Sequence, residues 1–343
     1  HKYRRRGASV QRGLSAAGAP ALGPSAFGAA DKRYSLCVNK AASSNVLFSV
    51  QSMPHGRGMM KSIWTVMFVL LSVLGQAEAK ESVEVSPTMR EQYTCEGEAK
   101  RFGSWASLAG RLEPDRLKAD HPGVQLVEVK VADGRIIRGV AAKGDMPRKK
   151  AVLVIGGNGW SAKPFVDAVL PHFAPFDADV YYFDFRGYGM STPANPTMHA
   201  IVEDYRDIAK WLVSEGHDRL YLYAFSFGGV VAMTSFPELS PFERVVIDSS
   251  PSRASDFEFR CTPTYETVDF VPSNCTRLTV MHGTSDWVMP RSKVNELIEI
   301  ATRCGASIDI NVSRGHPFQI EWESSRKRRI EAVMKHLGIE RRP

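Results

Sequence analysis

The chain has 343 residues, of which 43% are hydrophobic and 24% are charged. This composition is typical of a soluble globular protein with enough apolar residues for a sizeable core. The formal net charge is +7, but ten of the 44 Lys and Arg residues and only two of the 37 Asp and Glu residues lie in residues 1–79. The remainder is therefore close to neutral. It contains no basic stripe interleaved with aromatic residues, so no nucleic-acid partner is predicted.

Residues 1–58 are rich in Ala, Gly, Ser and Arg and show no sustained helical or strand period. One of the five cysteines, Cys37, falls in this stretch. We expect the stretch to be a non-native extension from an over-long reading frame, with a disordered tail as the alternative.

Residues 59–79 have the pattern of a secretory signal peptide. A lysine precedes the twelve-residue apolar run Ile63–Leu74, and the segment ends in Ala77-Glu78-Ala79. A charged start, a short apolar core and a small-residue ending are typical of such a leader. Twelve apolar residues fall short of the ~20 that span a bilayer. We expect export to the periplasm or the medium, cleavage before Lys80 and no stable membrane insertion afterwards; an uncleaved anchor is the alternative.

Four cysteines follow the leader: Cys95, Cys261, Cys275 and Cys304. An even number in an exported chain allows disulfides, and three pairings are possible. Cys261 and Cys275 are the closest pair in sequence, and we hypothesise that they are bonded. The spacings do not match a zinc site, so no metal is predicted.

Residues 80–123 are predicted to be an N-terminal segment with one helix at 104–117, and residues 124–343 an α/β domain. Strand patterns at 124–131 and 135–142 flank Asp133-Gly134, which is a hairpin turn signal. Six further apolar strands are predicted at Ala151–Ile155, Val180–Phe185, Leu220–Ala224, Arg244–Asp248, Leu278–Met281 and Ile308–Val312. A helical pattern follows each of the first four. Helices are predicted at Lys163–His172, Met198–Glu215, Phe227–Ser235, Pro290–Arg303 and Gln319–Leu337.

Apolar strands separated by helices predict a mostly parallel central sheet with helices on both faces and an antiparallel hairpin at its N-terminal end. In such a sheet the active site lies outside the carboxyl ends of the strands. The residues that suggest chemistry all lie at those ends.

Ser226 stands in the pattern of a nucleophile elbow. The run Ala224-Phe225-Ser226-Phe227-Gly228 follows a predicted strand and opens a predicted helix. This tight turn exposes the Ser hydroxyl, and it needs small residues two before and two after the Ser because backbones approach closely there. Ala224 in the first small position is a mild departure from G-x-S-x-G. An ordinary strand-to-helix turn is the alternative interpretation.

A Ser nucleophile needs a His base and a carboxylate that fixes the His tautomer. Asp286 and His316 each follow a predicted strand, which gives the chain order Ser, Asp, His expected for this arrangement. We therefore predict a catalytic triad of Ser226, Asp286 and His316. Asp248, at the end of an earlier strand, is the competing acid, and His282 is a competing base that lies too close to its own strand end to reach over the Ser.

Two backbone N–H groups are predicted to bind the oxyanion of an acyl-transfer intermediate. The Phe227 N–H lies at the start of a helix, where it has no partner within the helix. Asn158 follows Gly156-Gly157 in the loop after the first parallel strand, and glycines there let the backbone approach a ligand closely.

Together with DFRGYGMS (Asp184–Ser191), the runs AFSFGG, HGTSDWVMP and GHPF resemble the α/β-hydrolase superfamily over roughly 124–337. The chain is most similar to compact single-domain serine hydrolases, which implies the α/β-hydrolase fold. In that family the D-x-R-G-x-G-x-S segment is a structural loop, so Asp184 and Arg186 are not expected to be catalytic. Gly156 stands where many members carry His. The doubled Gly after the Ser also resembles peptidases of the prolyl-oligopeptidase type.

These observations predict a serine hydrolase that cleaves a carboxylic ester or thioester through an acyl-enzyme, without a cofactor. The expected substrate is a small-molecule or lipid-like acyl compound. An insertion between the strands that end at Asp248 and begin at Leu278 carries four aromatic residues: Phe257, Phe259, Tyr265 and Phe270. They are expected either to cap the site or to pack on the sheet. A serine peptidase and a non-catalytic binding protein on the same scaffold are the alternatives.

Overall fold

A computed structural model describes residues 94–143, 149–257, 260–262, 264–311, 314–319 and 322–342. The predicted extension at 1–58 and the predicted signal peptide at 59–79 lie outside these residues. Over the described ranges, no helix is both long enough and apolar enough to cross a membrane.

Strands and helices alternate along most of the described chain. The N-terminal part contains β1 (Thr94–Glu96), α1 (Glu98–Ala109) and α2 (Pro114–Asp120). The strands that follow are β2 (Gln125–Lys130), β3 (Ile136–Ala142), β4 (Lys150–Ile155), β5 (Asp179–Phe183), β6 (Arg219–Phe225), β7 (Arg244–Asp248), β8 (Arg260–Thr262), β9 (Leu278–Gly283) and β10 (Ser307–Asn311). The helices among them are α3 (Ala162–Ala168), α4 (Leu170–Phe173), α5 (Met198–Ser214), α6 (Phe227–Ser235), α7 (Asn295–Arg303) and α8 (Glu323–Leu337).

Eight strands form one sheet in the order β2-β3-β5-β4-β6-β7-β9-β10. The pairings of β3 with β2 and β5 are antiparallel, and every pairing from β5 through β10 is parallel. Successive side chains of a strand point to opposite faces, so β4 sends Leu153 into one core and Val154 into the other. Helices α1, α5, α6 and α7 pack on the first face and α3, α4 and α8 on the second. The predicted fold is confirmed.

Several predicted helices differ from the structure in their bounds. The helix predicted at 104–117 is two helices, because Gly110 ends α1 at a positive φ of 69° and Pro114 begins α2. The helix predicted at 163–172 is also two, with a break at Val169 and a proline in the first turn of α4. No α-helix follows β7 within the described part of 249–277, which contains two 3₁₀ turns and β8 instead.

The four cysteines that follow the predicted leader form two disulfides. Cys95 is bonded to Cys261 and Cys275 to Cys304. The hypothesised bond between Cys261 and Cys275 is wrong, because β1 pairs antiparallel with β8 and sets Cys95 directly opposite Cys261. Distance along the sequence could not predict this strand pairing, which joins the N-terminal segment to the insertion.

Candidate active site

Ser226 occupies the turn between β6 and α6. Its φ of 54° and ψ of −129° lie in a region that non-glycine residues rarely adopt. The Ser226 amide donates a hydrogen bond to the Asp248 carbonyl at 2.9 Å, which anchors the turn to the end of β7. Backbone strain in a non-glycine residue is concentrated at functional sites. The conformation is the one that the elbow pattern predicts.

Small residues around Ser226 allow the turn to pack tightly. A Cβ atom on Gly228 would overlap the carbonyl oxygens of Ile155 and Gly156, so α6 can begin against β4 only with glycine at this position. Ala224 is completely buried in β6, where its single methyl group is accommodated in place of the usual glycine.

Asp286 and His316 are in direct contact. The His316 Nδ1 atom lies 2.9 Å from Oδ2 and 3.1 Å from Oδ1 of Asp286, and both side chains are buried. Asp286 follows β9 and His316 follows β10, which are parallel neighbours, so their terminal loops meet at one edge of the sheet. The Met289 N–H donates to Asp286 Oδ1 at 2.7 Å, and the Ser285 N–H donates to the Arg314 carbonyl at 3.1 Å. The first bond orders the loop after β9, and the second joins it to the loop after β10.

The electrostatic surroundings favour the ionised form of Asp286. Burial opposes ionisation, but the hydrogen bond and positive charge of His316, the Met289 N–H and the Ser249 hydroxyl outweigh it and lower the pKa of Asp286. A carboxylate in this position orients the imidazole and stabilises the cation that forms when the base takes up a proton.

Asp248 and His282, the alternative acid and the alternative base, lie in different surroundings. Asp248 is buried and forms an ion pair with Arg329, with Oδ2 and Nη1 2.6 Å apart. His282 is buried within β9, and burial lowers its pKa in spite of the nearby carboxylates of Asp286 and Asp248. The structure therefore brings Asp286, and not Asp248, to the imidazole of His316.

The predicted oxyanion loop lies against the nucleophile turn. A Cβ atom built on Gly157 would lie 3.1 Å from the Ser226 Cβ atom. Asn158 is the next residue, and Phe227 begins α6 directly after Ser226. Both predicted N–H donors thus belong to the segments that meet at the Ser226 side chain.

Helix α1 borders the same region, which the sequence did not predict. The Trp105 ring packs on the Phe227 ring at a centroid distance of 5.0 Å. A Cβ atom on Gly159, in the oxyanion loop, would lie 3.3 Å from Leu108 Cβ, and yet Leu108 is 76% exposed. An apolar side chain is therefore open to solvent next to the predicted site.

The aromatic residues of the insertion do not all contribute to a cap. Tyr265 is buried in the core, and Phe270 packs against that core. Phe259 and the side chain of Phe257 lie outside the described residues. For Tyr265 and Phe270 the packing alternative is the correct one.

Arg329 and Ser249 also lie next to the candidate site, and the sequence patterns did not predict their positions. Arg329 lies in the basic run Arg326–Arg329, which is typical of a solvent-facing helix surface. Arg329, Val333 and Leu337 are spaced four residues apart, which places them on one face of α8. All three are buried. That periodicity is the signal that could have identified Arg329.

Comparisons with known proteins agree with this architecture. A family model described as the alpha/beta hydrolase family matches residues 152–297, which include Ser226 and Asp286. Two crystal forms of the esterase Pf2001 from Pyrococcus furiosus match at 18% and 20% identity with TM-scores of 0.51 and 0.50, covering 66% of this chain and 96% and 97% of theirs. XC6422 from Xanthomonas campestris, described as an a/b serine hydrolase without lid, matches at 16% identity and a TM-score of 0.49, covering 68% and 100%.

No curated protein matches the sequence significantly. The strand order and the structural matches with TM-scores of 0.50 and 0.51 show the α/β-hydrolase fold, and the family match supports a hydrolase.

Proposed function

We propose that this protein is a serine hydrolase that cleaves carboxylic esters or thioesters through a Ser226-His316-Asp286 triad. The observation that carries the proposal is the hydrogen-bonded pair of His316 and Asp286 at the same sheet edge as a serine in a strained strand-to-helix turn. These are the residue types and the chain order that nucleophilic acyl transfer requires.

In the proposed mechanism His316 accepts the proton of the Ser226 hydroxyl as the oxygen attacks the substrate carbonyl. Asp286 holds the Nδ1–H tautomer and stabilises the imidazolium. The backbone N–H groups of Phe227 and Asn158 bind the oxyanion. The leaving alcohol or thiol takes the proton from His316, and a water molecule activated by the same imidazole then hydrolyses the acyl-enzyme.

The surroundings favour an apolar acyl group. Leu108 and Trp105 of α1 and Phe227 of α6 form an apolar wall beside the nucleophile turn. Ligand sites combine such walls with a few polar groups that fix orientation. Leu108→Ser should therefore raise KM for long-chain esters and leave acetate esters almost unchanged. Val213→Ser, which alters an exposed apolar residue of α5, is the matched control.

Export through the leader at 59–79 is part of the proposal. The bonds Cys95–Cys261 and Cys275–Cys304 support it, because disulfides persist mainly in oxidising compartments.

Fluorophosphonate labelling tests the triad, followed by a panel of ester, thioester and peptide substrates. Wild-type protein should be labelled on Ser226, and Ser226→Ala should not react. Ser235→Ala is the control, because Ser235 ends the same helix and donates to the Val202 carbonyl. Labelling of Ser226→Ala would contradict the proposal. So would a failure to label both the wild type and Ser235→Ala. Cleavage of peptides alone would identify a peptidase.

A further inference from the structure

We propose that Arg329 and Asp248 are positioning residues that hold His316 against Asp286; the inference rests on the proposed triad. Arg329 reaches from α8 to the sheet edge, and its side chain is completely buried. Its Nη1 donates to Asp248 Oδ2 at 2.6 Å, and its Nη2 donates to the Gly315 carbonyl at 2.6 Å. Gly315 immediately precedes His316. One guanidinium therefore joins the end of β7 to the backbone that carries the imidazole.

Asp248 has two further partners beside the guanidinium. The Ser249 hydroxyl lies 3.3 Å from Asp248 Oδ1. Ser249 has a φ of 51°, a backbone conformation that non-glycine residues rarely adopt. The Tyr223 hydroxyl fixes Asp248 from β6 with a further bond of 3.1 Å to Oδ2.

The contacts form a continuous path from Asp248 through Arg329 and the Gly315 carbonyl to His316, whose imidazole contacts Asp286. Only a guanidinium presents enough donors in a rigid plane to bind a carboxylate and a carbonyl together. The buried pair adds little stability over an apolar pair of the same size, because both charges lose their hydration. Its role is therefore to fix geometry, and the bond to Arg329 also keeps Asp248 from competing for His316.

The decisive variant is the double substitution Asp248→Asn with Arg329→Met. It removes both charges together, so no unpaired buried charge is left to unfold the protein. Asn keeps one oxygen that can accept from one of the Tyr223 and Ser249 hydroxyls, and its NH₂ group can donate to the other hydroxyl oxygen. The matched control is Asp204→Asn with Arg186→Met, because Arg186 and Asp204 form a second buried ion pair, between the loop after β5 and helix α5, with side chains 7% and 3% exposed.

We expect the two double variants to lose similar thermal stability, while only the first lowers kcat, by about 10²-fold with KM little changed, as misplaced catalytic groups do. The low-field proton NMR signal of the His316 Nδ1–H bonded to Asp286 should shift or broaden in the first variant alone. Arg329→Lys should also lower kcat, because one ammonium nitrogen cannot occupy the positions of both Nη1 and Nη2, each of which binds one of the two acceptors.

The proposal would be overturned if Asp248→Asn with Arg329→Met kept kcat within twofold of wild type and left the Nδ1–H signal unchanged. A wild-type kcat in Arg329→Lys would overturn it as well. If the wild-type protein proves inactive on every substrate, the proposed function fails separately. The NMR signal then still decides whether Arg329 and Asp248 position the imidazole.

Discussion

Replacing Asp286 by Asn tests the triad at the residue where the structure is most explicit. The oxygen nearer to His316 Nδ1 is Oδ2, at 2.9 Å, while Oδ1 lies 3.1 Å from Nδ1 and accepts the Met289 N–H at 2.7 Å. Asn has a single oxygen. If that oxygen keeps the Met289 bond, the amide NH₂ faces Nδ1 and forces the proton onto Nε2, where His316 can no longer accept the Ser226 proton. If the amide flips, its NH₂ group faces the Met289 N–H, and two donors then meet without an acceptor.

The wrong tautomer should lower kcat by about 10⁴-fold, which corresponds to roughly 5.5 kcal/mol of transition-state stabilisation. Asp248→Asn provides the contrast. It leaves the buried Arg329 cation without its carboxylate and should cost about 3–5 kcal/mol of stability. The effect of Asp248→Asn on kcat should stay at about 10²-fold or less, since the His316–Asp286 contact is weakened and not removed.

The assay is the hydrolysis of a short p-nitrophenyl ester at a temperature where circular dichroism shows both variants folded. The unfolding free energy of each variant is measured separately in urea. A larger loss of kcat in Asp248→Asn than in Asp286→Asn would refute the assignment of the acid and transfer it to β7. A loss below tenfold in both would refute the triad mechanism itself.

Three further predictions follow from the described contacts. Removing the Cys95–Cys261 bond by two Ser substitutions should lower the unfolding free energy by about 5 kcal/mol in the chain-entropy treatment of a 166-residue loop, measured by urea denaturation, and peptide mapping of the unreduced protein should find this bond. Gly228→Ala should abolish fluorophosphonate labelling, since its methyl group would overlap backbone carbonyl oxygens, whereas Gly103→Ala in the exposed part of α1 should stabilise by up to about 1 kcal/mol and keep full labelling. The folded-state pKa of Asp286 is lowered, so its contribution to stability is present above the ordinary pKa of 3.8 and is lost as the pH falls through the folded value; Asp286→Asn should flatten the acid limb of the stability profile.

Periodicity predicted the sheet and most helices because each strand and helix buries an apolar face whose repeat is visible in the sequence. It missed contacts between segments that are distant along the chain. The β1–β8 pairing involves strands of three residues, too short to show a period, and it decides the partner of Cys95. Sequence order alone left Asp248 and Asp286 as alternative acids, because both follow strands that end at the same sheet edge.

In the structure Asp286 contacts the imidazole of His316, whereas Asp248 is paired with Arg329. Arg329 belongs to a basic run that is typical of a solvated surface, but the helix periodicity turns this one arginine inward to Asp248. The predicted oxyanion donors are an intermediate case. Glycine spacing located their loop, while the contact of Gly157 with Ser226 depends on how β4 and β6 pair side by side.

The position of α1 connects the proposed export to the proposed substrate site. Strands of three residues form a weak two-stranded unit by themselves, so the β1–β8 pairing depends on the bond between Cys95 and Cys261. That pairing anchors the segment from which α1 extends, and α1 places Trp105 on Phe227 and Leu108 beside the oxyanion loop. Because such a bond persists in oxidising compartments, the proposed export is consistent with this anchor of the segment before α1.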